Sequence, residues 1–466
     1  MPVFLSRILY FRSAETDSIG RRVTRMFSNQ SLKQLIIPLF LEQLLVALVG
    51  IADVFVIGFV SEAAVSGVSL VNSFNTIFLN LFVALAAGGA VIISQYIGKG
   101  NREQAGLAAG QLLTASILLS ILSMFLILVF DTQILGLLFG RVEPSVMEAC
   151  VTYLRISAYS YPALAIYNAG SALYRSLGDT KTTMVISVIA NLINLAGNCL
   201  GVFVLHAGVA GVTWPSLISR VFSAVMITWL CFGTNHEVFY TLPAVLRVDG
   251  GMQKSILRIA VPNGVESGIF QLVKVALSSV VALFGTYQIA ANGVAQTIWS
   301  VASLVCVTMG PVYITVIGQC MGAGEIRQAE HYFRKLTQIT VLFAVVWNVL
   351  IFGLTPVLMH FYALEPQTKS LGIRLVLLHN IFNALAFPFA DPLGKGLRAT
   401  GDVVFTTFVS LFTTIGVRLV LSVIFGIWLN MGVMGIAWAM CLDWSVRGVI
   451  FWIRFRQGKW KTFRVI

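Results

Sequence analysis

The stretch SQYIGKGNREQA at 94–105 recurs as GQCMGAGEIRQA at 318–329, an offset of 224 in position (318 − 94). Gln95, Gly98, Gly100 and Ala105 thereby meet Gln319, Gly322, Gly324 and Ala329. Working outward at the same offset, Pro38 and Glu42 meet Pro262 and Glu266, and GVAGVTW (208–214) meets GVMGIAW (432–438). At an offset of 223, RSLGD (175–179) meets RATGD (398–402). The blocks keep their order along nearly the whole chain. Chance similarity between apolar segments would not place polar and glycine residues so regularly, so the chain reads as one unit written twice.

The unit is a membrane unit. Of 466 residues 58% are hydrophobic and 11% charged, where a soluble chain carries about 25% charge. A charge at mid-bilayer costs roughly 2.5–3.5 kcal/mol on insertion scales, so long segments in hydrocarbon shed them. A spanning helix needs about 20 mostly apolar residues. Twelve such runs are present: 34–59, 68–96, 107–130, 149–173, 183–205, 210–233, 257–283, 290–317, 335–359, 371–393, 404–427 and 430–453. The longer connections fall near 131–148, 234–256 and 318–334. Six spans per half is an even number, so both halves enter from the same side as parallel repeats, related by an axis along the membrane normal. The expected fold is an all-α polytopic membrane protein of twelve transmembrane helices, in two pseudo-symmetric six-helix lobes around a central cleft. The expected organisation is a basic tail (1–33), an N-terminal lobe (34–233), a linker (234–256), a C-terminal lobe (257–453) and a second basic tail (454–466).

Orientation follows from the distribution of Lys and Arg. With the N-terminus in the cytoplasm, the inner loops and tails collect Lys99, Arg102, Lys181, Arg327, Lys335, Lys395 and the basic run from Arg454 to Arg464. The outer side keeps Arg141, Lys369 and Arg374. Both termini are therefore expected inside, in a multi-pass protein of the cell membrane. The segment 1–25 holds five arginines and no secretory signal; an over-long gene start explains it as well as a functional tail does.

The net charge of +12 does not point to nucleic acid, because the charges lie between apolar runs rather than on one basic face. Six cysteines without CxxC spacing read as free thiols, and no metal cluster is expected from them and the five histidines. There is no G-x-x-x-x-G-K-[ST] motif for an ATP motor, no H-E-x-x-H and no nucleophile–base pair. No enzyme and no cofactor is expected.

Ionisable groups inside spans carry a functional hypothesis by default. The acids are Glu42, Asp53, Glu266, Asp391 and Asp443; the bases are Arg155, Arg220, Lys274, Arg418 and Arg447. Glu42 and Asp53 are eleven residues apart, close to three turns, and share a face of the first span. In the fifth span Asn194 and Asn198 are at i, i+4 and share a face. One carboxylate with two amide oxygens suits Na⁺, and the same carboxylate alone suits a proton. The structural reading of the same residues is that Asp53 pairs with a base such as Arg220 and the asparagines bond helix to helix. Glu42 and Glu266 match across the halves, whereas Asp53 meets an apolar position near Leu277, which confines a cation site built on Asp53 to the N-terminal half. Glu42, Glu266, Lys274 and Asp391 are candidates for lining a substrate cavity. Asp443 and Arg447, at i, i+4, read as a structural pair.

The segments PLFLEQLLVALVGIADVFVIGFVSEAAVSGVSL (38–70), GGAVIISQYIGKGNREQA (88–105), YRSLGDTKTTM (174–184), ANLINLAGNCLGVF (190–203) and GVAGVTWPSLISR (208–220) resemble the multidrug and toxic compound extrusion (MATE) family, as do VPNGVESGIFQLVK (261–274) and LRATGDVVFT (397–406). The resemblance implies two six-helix lobes forming a V-shaped cleft, and export of mostly cationic, amphipathic compounds or drugs in exchange for H⁺ or Na⁺. It places Asp53 at the family's first-helix acid and Asn194 at the asparagine that joins it. Asn198 stands where several members have aspartate, and Ser216 where some have threonine. Asp391 does not clearly match the acid that one branch uses in its tenth helix. The implied partners are the lipid bilayer and small organic cations, with a monomer as the working unit. The competing function is a lipid-linked oligosaccharide flippase of the same superfamily; a membrane-embedded enzyme is the rival from another class.

Reporter fusions at residue 466 and near 240 are expected to report a cytoplasmic location, and one near 140 an external one. An external signal at 240 would break the six-plus-six reading.

Overall fold

The computed structural model describes residues 13–16, 22–140, 142–234, 236–361 and 364–466; the remaining stretches of the 1–33 tail, and Arg141, lie outside the described residues. Two short strands, Ser13–Thr16 and Arg22–Arg25, pair antiparallel ahead of the helical body. Among the described residues twelve helical spans follow. The N-terminal lobe holds α1 (Asn29–Ile57), α2 (Glu62–Gly98), α3 (Arg102–Phe139), α4 (Pro144–Tyr159 and Tyr161–Leu177), α5 (Thr180–Val204) and α6 (Ala210–Phe232). A linker helix, Leu242–Leu246, leads to the second lobe. That lobe holds α7 (Gly250–Val281), α8 (Thr286–Ala302 and Leu304–Gly322), α9 (Ile326–Phe361), α10 (Pro366–Leu385 and Phe387–Ala399), α11 (Val403–Trp428) and α12 (Val433–Gln457).

Several helices outrun the apolar stretches that announce them. The segments expected as loops near 131–148 and 318–334 are largely helical, because α3 continues to Phe139, α8 to Gly322 and α9 begins at Ile326. Backbone hydrogen bonding continues past the hydrocarbon boundary until a cap stops it. Asn101 caps α3 by accepting from Gln104 N, Asp179 caps α5 from Thr182 N and Asp249 caps α7 from Met252 N. Among the described residues three spans are split into separate helices, and α3 is kinked at Phe130. Ser160 and Ser303 bond back to the carbonyls of Ser157 and Ser300 at the breaks in α4 and α8, in competition with the helix ladder. In α10, Pro388 lacks the N–H that would continue the helix, and the span bends by 53°.

The duplication is present in geometry as well as in letters. The turns at Gly100 (φ 76°) and Gly324 (φ 73°) take the same left-handed conformation, which glycine adopts without strain. Both close identically: Asn101 N bonds Tyr96 O as Glu325 N bonds Cys320 O. Wide helical turns with i→i+5 bonding occur at Leu200–Val204 and again at Ile424–Trp428, the same offset of 224 further on. The C-terminal lobe has one more such segment, Thr413–Leu419. It lies where the offset between the halves changes from 223 to 224, and a one-residue insertion into an α-helix produces just such a wide turn.

The lobes meet at the end that bears the tails, the Gly100 and Gly324 turns and the linker, called the tail end below. There α2 and α8 pack backbone to backbone. A Cβ at Gly98 would lie 2.0 Å from the carbonyl oxygen of Gln319, and one at Gly322 1.8 Å from that of Gln95. The two glutamines reach across reciprocally: Gln95 Nε2 donates to Ala399 O at 2.7 Å and Gln319 Nε2 to Ser176 O at 2.7 Å. The largest hydrophobic cluster spans this region with residues of both lobes, including Ile93, Leu173, Val312 and Leu397. Away from it the core forks. One cluster holds Ala291, Leu375 and Trp444 of the C-terminal lobe alone; others hold Val71, Leu154 and Tyr161, and Val56, Val68 and Val202, of the N-terminal lobe alone. The second halves of α1 and α7 are exposed on more than one face, with Leu48 and Ile51 matched by Leu272 and Val275. The fork opens the cleft between the lobes.

Gly98→Val and Gly322→Val each force a side chain into backbone of the other lobe, an overpacking cost of about 1–3 kcal/mol. Each is expected to lower the melting temperature of the purified protein and to raise maleimide labelling of Cys320, a fully buried free thiol on α8 beside the crossing. Gly136→Ala, with nothing within 4 Å, is expected to change neither. Equal melting of all three would show that the lobes do not press together at this point.

Candidate functional site

A cavity of about 300 Å³ lies inside the N-terminal lobe, walled by α1, α4, α5 and α6. Asp53 and Gly50 come from α1, Tyr167 from α4, Asn191 and Asn194 from α5, and Ser216 and Arg220 from α6. Helical spacing puts these groups together. The i, i+4 asparagines of α5 stack toward α1, where Gly50 keeps the wall low one turn before Asp53.

A chain of hydrogen bonds runs through the site. Asn198 Nδ2 donates to Asp53 Oδ1 at 2.6 Å and to Asn194 Oδ1 at 3.2 Å. Asn194 Nδ2 donates to Ser216 Oγ at 2.8 Å, and Ser216 Oγ to Val212 O at 3.0 Å. The four residues singled out from sequence are therefore one connected group. Among the described residues no ion pair reaches Asp53: Arg220, the base considered as its partner, lines the same cavity and donates instead to Ser160 Oγ at 2.6 Å. Asn198 is fully buried, and its Oδ1 is a buried acceptor without a partner. A turn of that amide would aim Oδ1 at the position its NH₂ now serves, joining an Asp53 carboxylate oxygen, Asn194 Oδ1 and Ser216 Oγ. A hard cation prefers such an all-oxygen set, and a proton needs only the carboxylate. No cluster of three His, Cys, Asp or Glu suited to a transition metal occurs among the described residues.

The other candidate acids are engaged differently. Glu42, 3% exposed, accepts from Arg175 Nη2 at 2.8 Å and from Thr183 Oγ1 at 3.3 Å, with the Tyr167 hydroxyl at 3.4 Å. Its counterpart Glu266 pairs with Arg398, which also donates to Asn263 Oδ1 at 2.9 Å. Both ion pairs join the first helix of a lobe to the fourth, and both repeat across the duplication. Their basic partners were legible in the matched RSLGD and RATGD blocks, whose arginines recur as the glutamates do. Asp391 sits at the bend of α10 and accepts from Lys395 Nζ at 2.8 Å. Lys274 is exposed on α7 and meets no acid among the described residues.

Asp443 and Arg447 form the expected pair at 2.8 Å, and Arg418 joins them at 2.8 Å from the other carboxylate oxygen. Asp443 is fully buried, and Arg418 lies over the Phe270 ring at 4.9 Å. With the offset of 224 that holds beyond the wide turn of α11, Ser422 occupies the position of Asn198 (198 + 224 = 422), and Arg418, inside that turn, stands four residues before it as Asn194 stands before Asn198. The close approach of Gly201 to Gly211 recurs as Phe425 against Gly435, which fixes this register in space. The C-terminal counterpart of the Asp53 site thus carries its own guanidinium.

The MatE family model matches the chain twice, over residues 38–200 and again over 262–424. The chain belongs to the MatE family. The second match begins at 262 where the first begins at 38, which reproduces the 224 offset of the internal repeat. A MatE relative from Thermotoga maritima, "Probable multidrug resistance protein NorM", is 24% identical over 449 residues, covering 94% of each chain. "Multidrug and toxin extrusion protein 1" of Homo sapiens is 24% identical over 462 residues, covering 95% of this chain and 78% of that one. A solved structure of the outward-facing conformation of a multidrug resistance MATE family transporter superposes with a TM-score of 0.85 at 19% identity, over 92% of this chain and 95% of that one. The likeness establishes the MATE fold, twelve helices in two lobes.

Removing one partner of a buried ion pair strands the other at about 3–5 kcal/mol, whereas half-exposed pairs contribute about 1 kcal/mol or less. Asp443→Asn and Glu42→Gln are therefore expected to lower thermal stability far more than Asp391→Asn. Detergent melting curves that rank Asp391→Asn as the most damaging would reverse this assignment.

Proposed function

We propose that this chain is a secondary active exporter of organic, mostly cationic and amphipathic compounds, driven by exchange for H⁺ or Na⁺. The observation that carries the reading is Asp53: a carboxylate without an ion partner among the described residues, set in a cavity of the N-terminal lobe and bonded by Asn198. Membership of the MatE family and relatives named for multidrug resistance support drug export as the activity, and the work is transport rather than catalysis. The strong Lys/Arg bias toward the tail end supports a cytoplasmic location for both termini in the cell membrane.

Coupling rests on the charge of one carboxylate. With Asp53 ionised and no cation present, the lobe encloses a negative charge that amide and hydroxyl dipoles face directly, with the Arg220 guanidinium on the same cavity wall but bonded to Ser160. A desolvated ion costs several kcal/mol. Entry of a proton or Na⁺ removes that charge and reorders the Asp53–Asn198–Asn194–Ser216 chain. A ligand shifts a conformational equilibrium only by its differential affinity for the two states, and this site supplies that difference. The packing of α1 against α5 and α6 then biases how the lobe presents itself to the cleft. Coupling belongs to the N-terminal lobe alone, because the equivalent place in the other lobe holds the Arg418 guanidinium against Asp443. Glu42 and Glu266, each tied to an arginine, hold the helices of their lobes in place, and Lys274, exposed on α7, is the remaining candidate to meet substrate. A monomer contains the whole site.

Asp53→Asn fixes the site in its neutral state. The variant is expected to fold, insert and bind a fluorescent organic cation, and to lose export driven by an imposed Na⁺ or pH gradient in proteoliposomes. Asp53→Asn protein that exports against a gradient at the wild-type rate would move the coupling acid elsewhere.

A further inference from the structure

A long groove lies in the C-terminal lobe, on helices that the apolar spans place in the bilayer. It has a volume of about 960 Å³ and runs between α9, the bend of α10 and α12. Its walls are apolar, with Val345, Leu385 and Val449, and its mouth carries Arg334 and Arg456. From Arg334 to Val345 is eleven residues of helix, about 16 Å at 1.5 Å per residue. That is one leaflet, half of the roughly 30 Å hydrocarbon thickness. The basic end is the tail end.

The duplication shows what this groove lacks. In the N-terminal lobe the matching face of α3 is covered by the linker helix. Gly110 admits its backbone, since a Cβ there would lie 2.8 Å from the Ala244 carbonyl. Gln111 Nε2 donates to Ala244 O at 2.8 Å, and Thr114 Oγ1 to Val245 O at 2.6 Å. In α9 the equivalent of Gly110 is Arg334 and that of Thr114 is Gln338 (110 + 224 and 114 + 224). An arginine in place of the glycine forbids a covering backbone and offers a charge instead. Around this mouth three bases, Arg334, Lys461 and Arg456, stand beside a single carboxylate, Glu330. Glu330 accepts from Arg334 at 2.7 Å and Lys461 at 2.5 Å, while Arg456 lies over the Trp452 ring at 5.9 Å without an acid among the described residues. An excess of positive charge at the headgroup level, above an apolar trough one leaflet deep, complements an amphiphile with an anionic head. The indole of Trp452 at the same level suits the interface between headgroups and chains.

We propose that this groove is a binding site for an anionic phospholipid of the tail-side leaflet. Its phosphate is held by Arg334 and Arg456, its acyl chain lies along α9 and α12, and the lipid covers in the C-terminal lobe the face that the linker helix covers in the N-terminal lobe. The site is separate from the Asp53 cavity and does not depend on the transport reading.

The test is native mass spectrometry of the full-length protein released from nanodiscs of phosphatidylcholine containing a fifth phosphatidylglycerol. The wild type is expected to retain one phosphatidylglycerol in preference to phosphatidylcholine. Arg456→Gln and Arg334→Gln should each weaken that preference about tenfold, the scale of one charge-assisted contact. Val449→Trp, which fills the trough and leaves the charges, should displace lipid irrespective of headgroup. Lys369→Gln, outside the groove, should change nothing and reports on handling. Equal retention of the two lipids by the wild type, unchanged retention in both arginine variants, competition by soluble glycerol phosphate alone, or a protein dimer in place of lipid would each overturn the proposal.

Discussion

The two lobes of this molecule are held together around a point where backbone packs on backbone. Where α2 crosses α8, Gly98 and Gly322 let each helix approach the other's carbonyl oxygens, at Gln319 and Gln95, more closely than any Cβ permits. Association in a bilayer gains nothing from moving apolar surface out of lipid, so it rests on close packing and interhelical hydrogen bonds. The reciprocal bonds from Gln95 to Ala399 and from Gln319 to Ser176 add a polar clasp on either side of the crossing. Because the contact lies at the tail end, the lobes diverge beyond it, and the core splits into clusters that belong to one lobe each. The cleft, the exposed faces of α1 and α7 and the independence of the two lobe interiors all follow from the position of that crossing.

Independence has let the two interiors drift apart in charge while keeping the same helices. The structural pairs are retained: Glu42 with Arg175 and Glu266 with Arg398 fasten the first helix of each lobe to the fourth. The interiors beyond them differ in how their charges are paired. The N-terminal lobe encloses a carboxylate faced by amides and a hydroxyl, with its arginine, Arg220, turned to Ser160. The C-terminal lobe encloses two arginines around one aspartate, reached through an additional wide turn in α11. A lobe that must respond to a mobile cation needs a charge it cannot satisfy internally; a lobe that only has to stay rigid satisfies its own. The same contrast holds on the outside, where one lobe covers its α3 face with the linker helix and the other leaves the α9 face to the bilayer.

The helical content, the number of spans and their pairing into two parallel halves were all legible in the sequence, because hydrocarbon imposes a length and a polarity that cannot be disguised, and because glycine and polar residues in the repeats mark positions rather than mere hydrophobicity. The grouping of Asp53 with Asn194 and Asn198 was also legible, since helical spacing fixes which residues of one span share a face. Arg175 and Arg398 were legible in hindsight from the matched blocks that contain them. Helix ends were less so, as polar residues continue a helix beyond the membrane until a cap arrives. Tyr167 and Asn191, which complete the cavity wall, gave no signal of their own, because an aromatic or an amide in a span is as often a packing residue as a lining one.

The sequence by itself determined the class of molecule, the repeat and the faces of individual helices, since these depend on local spacing and on the solvent the chain must inhabit. Only the tertiary structure decided the partners between helices. It turned Arg220 toward Ser160 rather than Asp53, gave Glu42 and Glu266 to arginines, and set Arg418 against Asp443. The reason is geometric: a span's sequence fixes the direction of a side chain around its own axis, but the rotation and height of neighbouring helices, set here by the glycine crossing and by one inserted residue in α11, decide what that side chain meets.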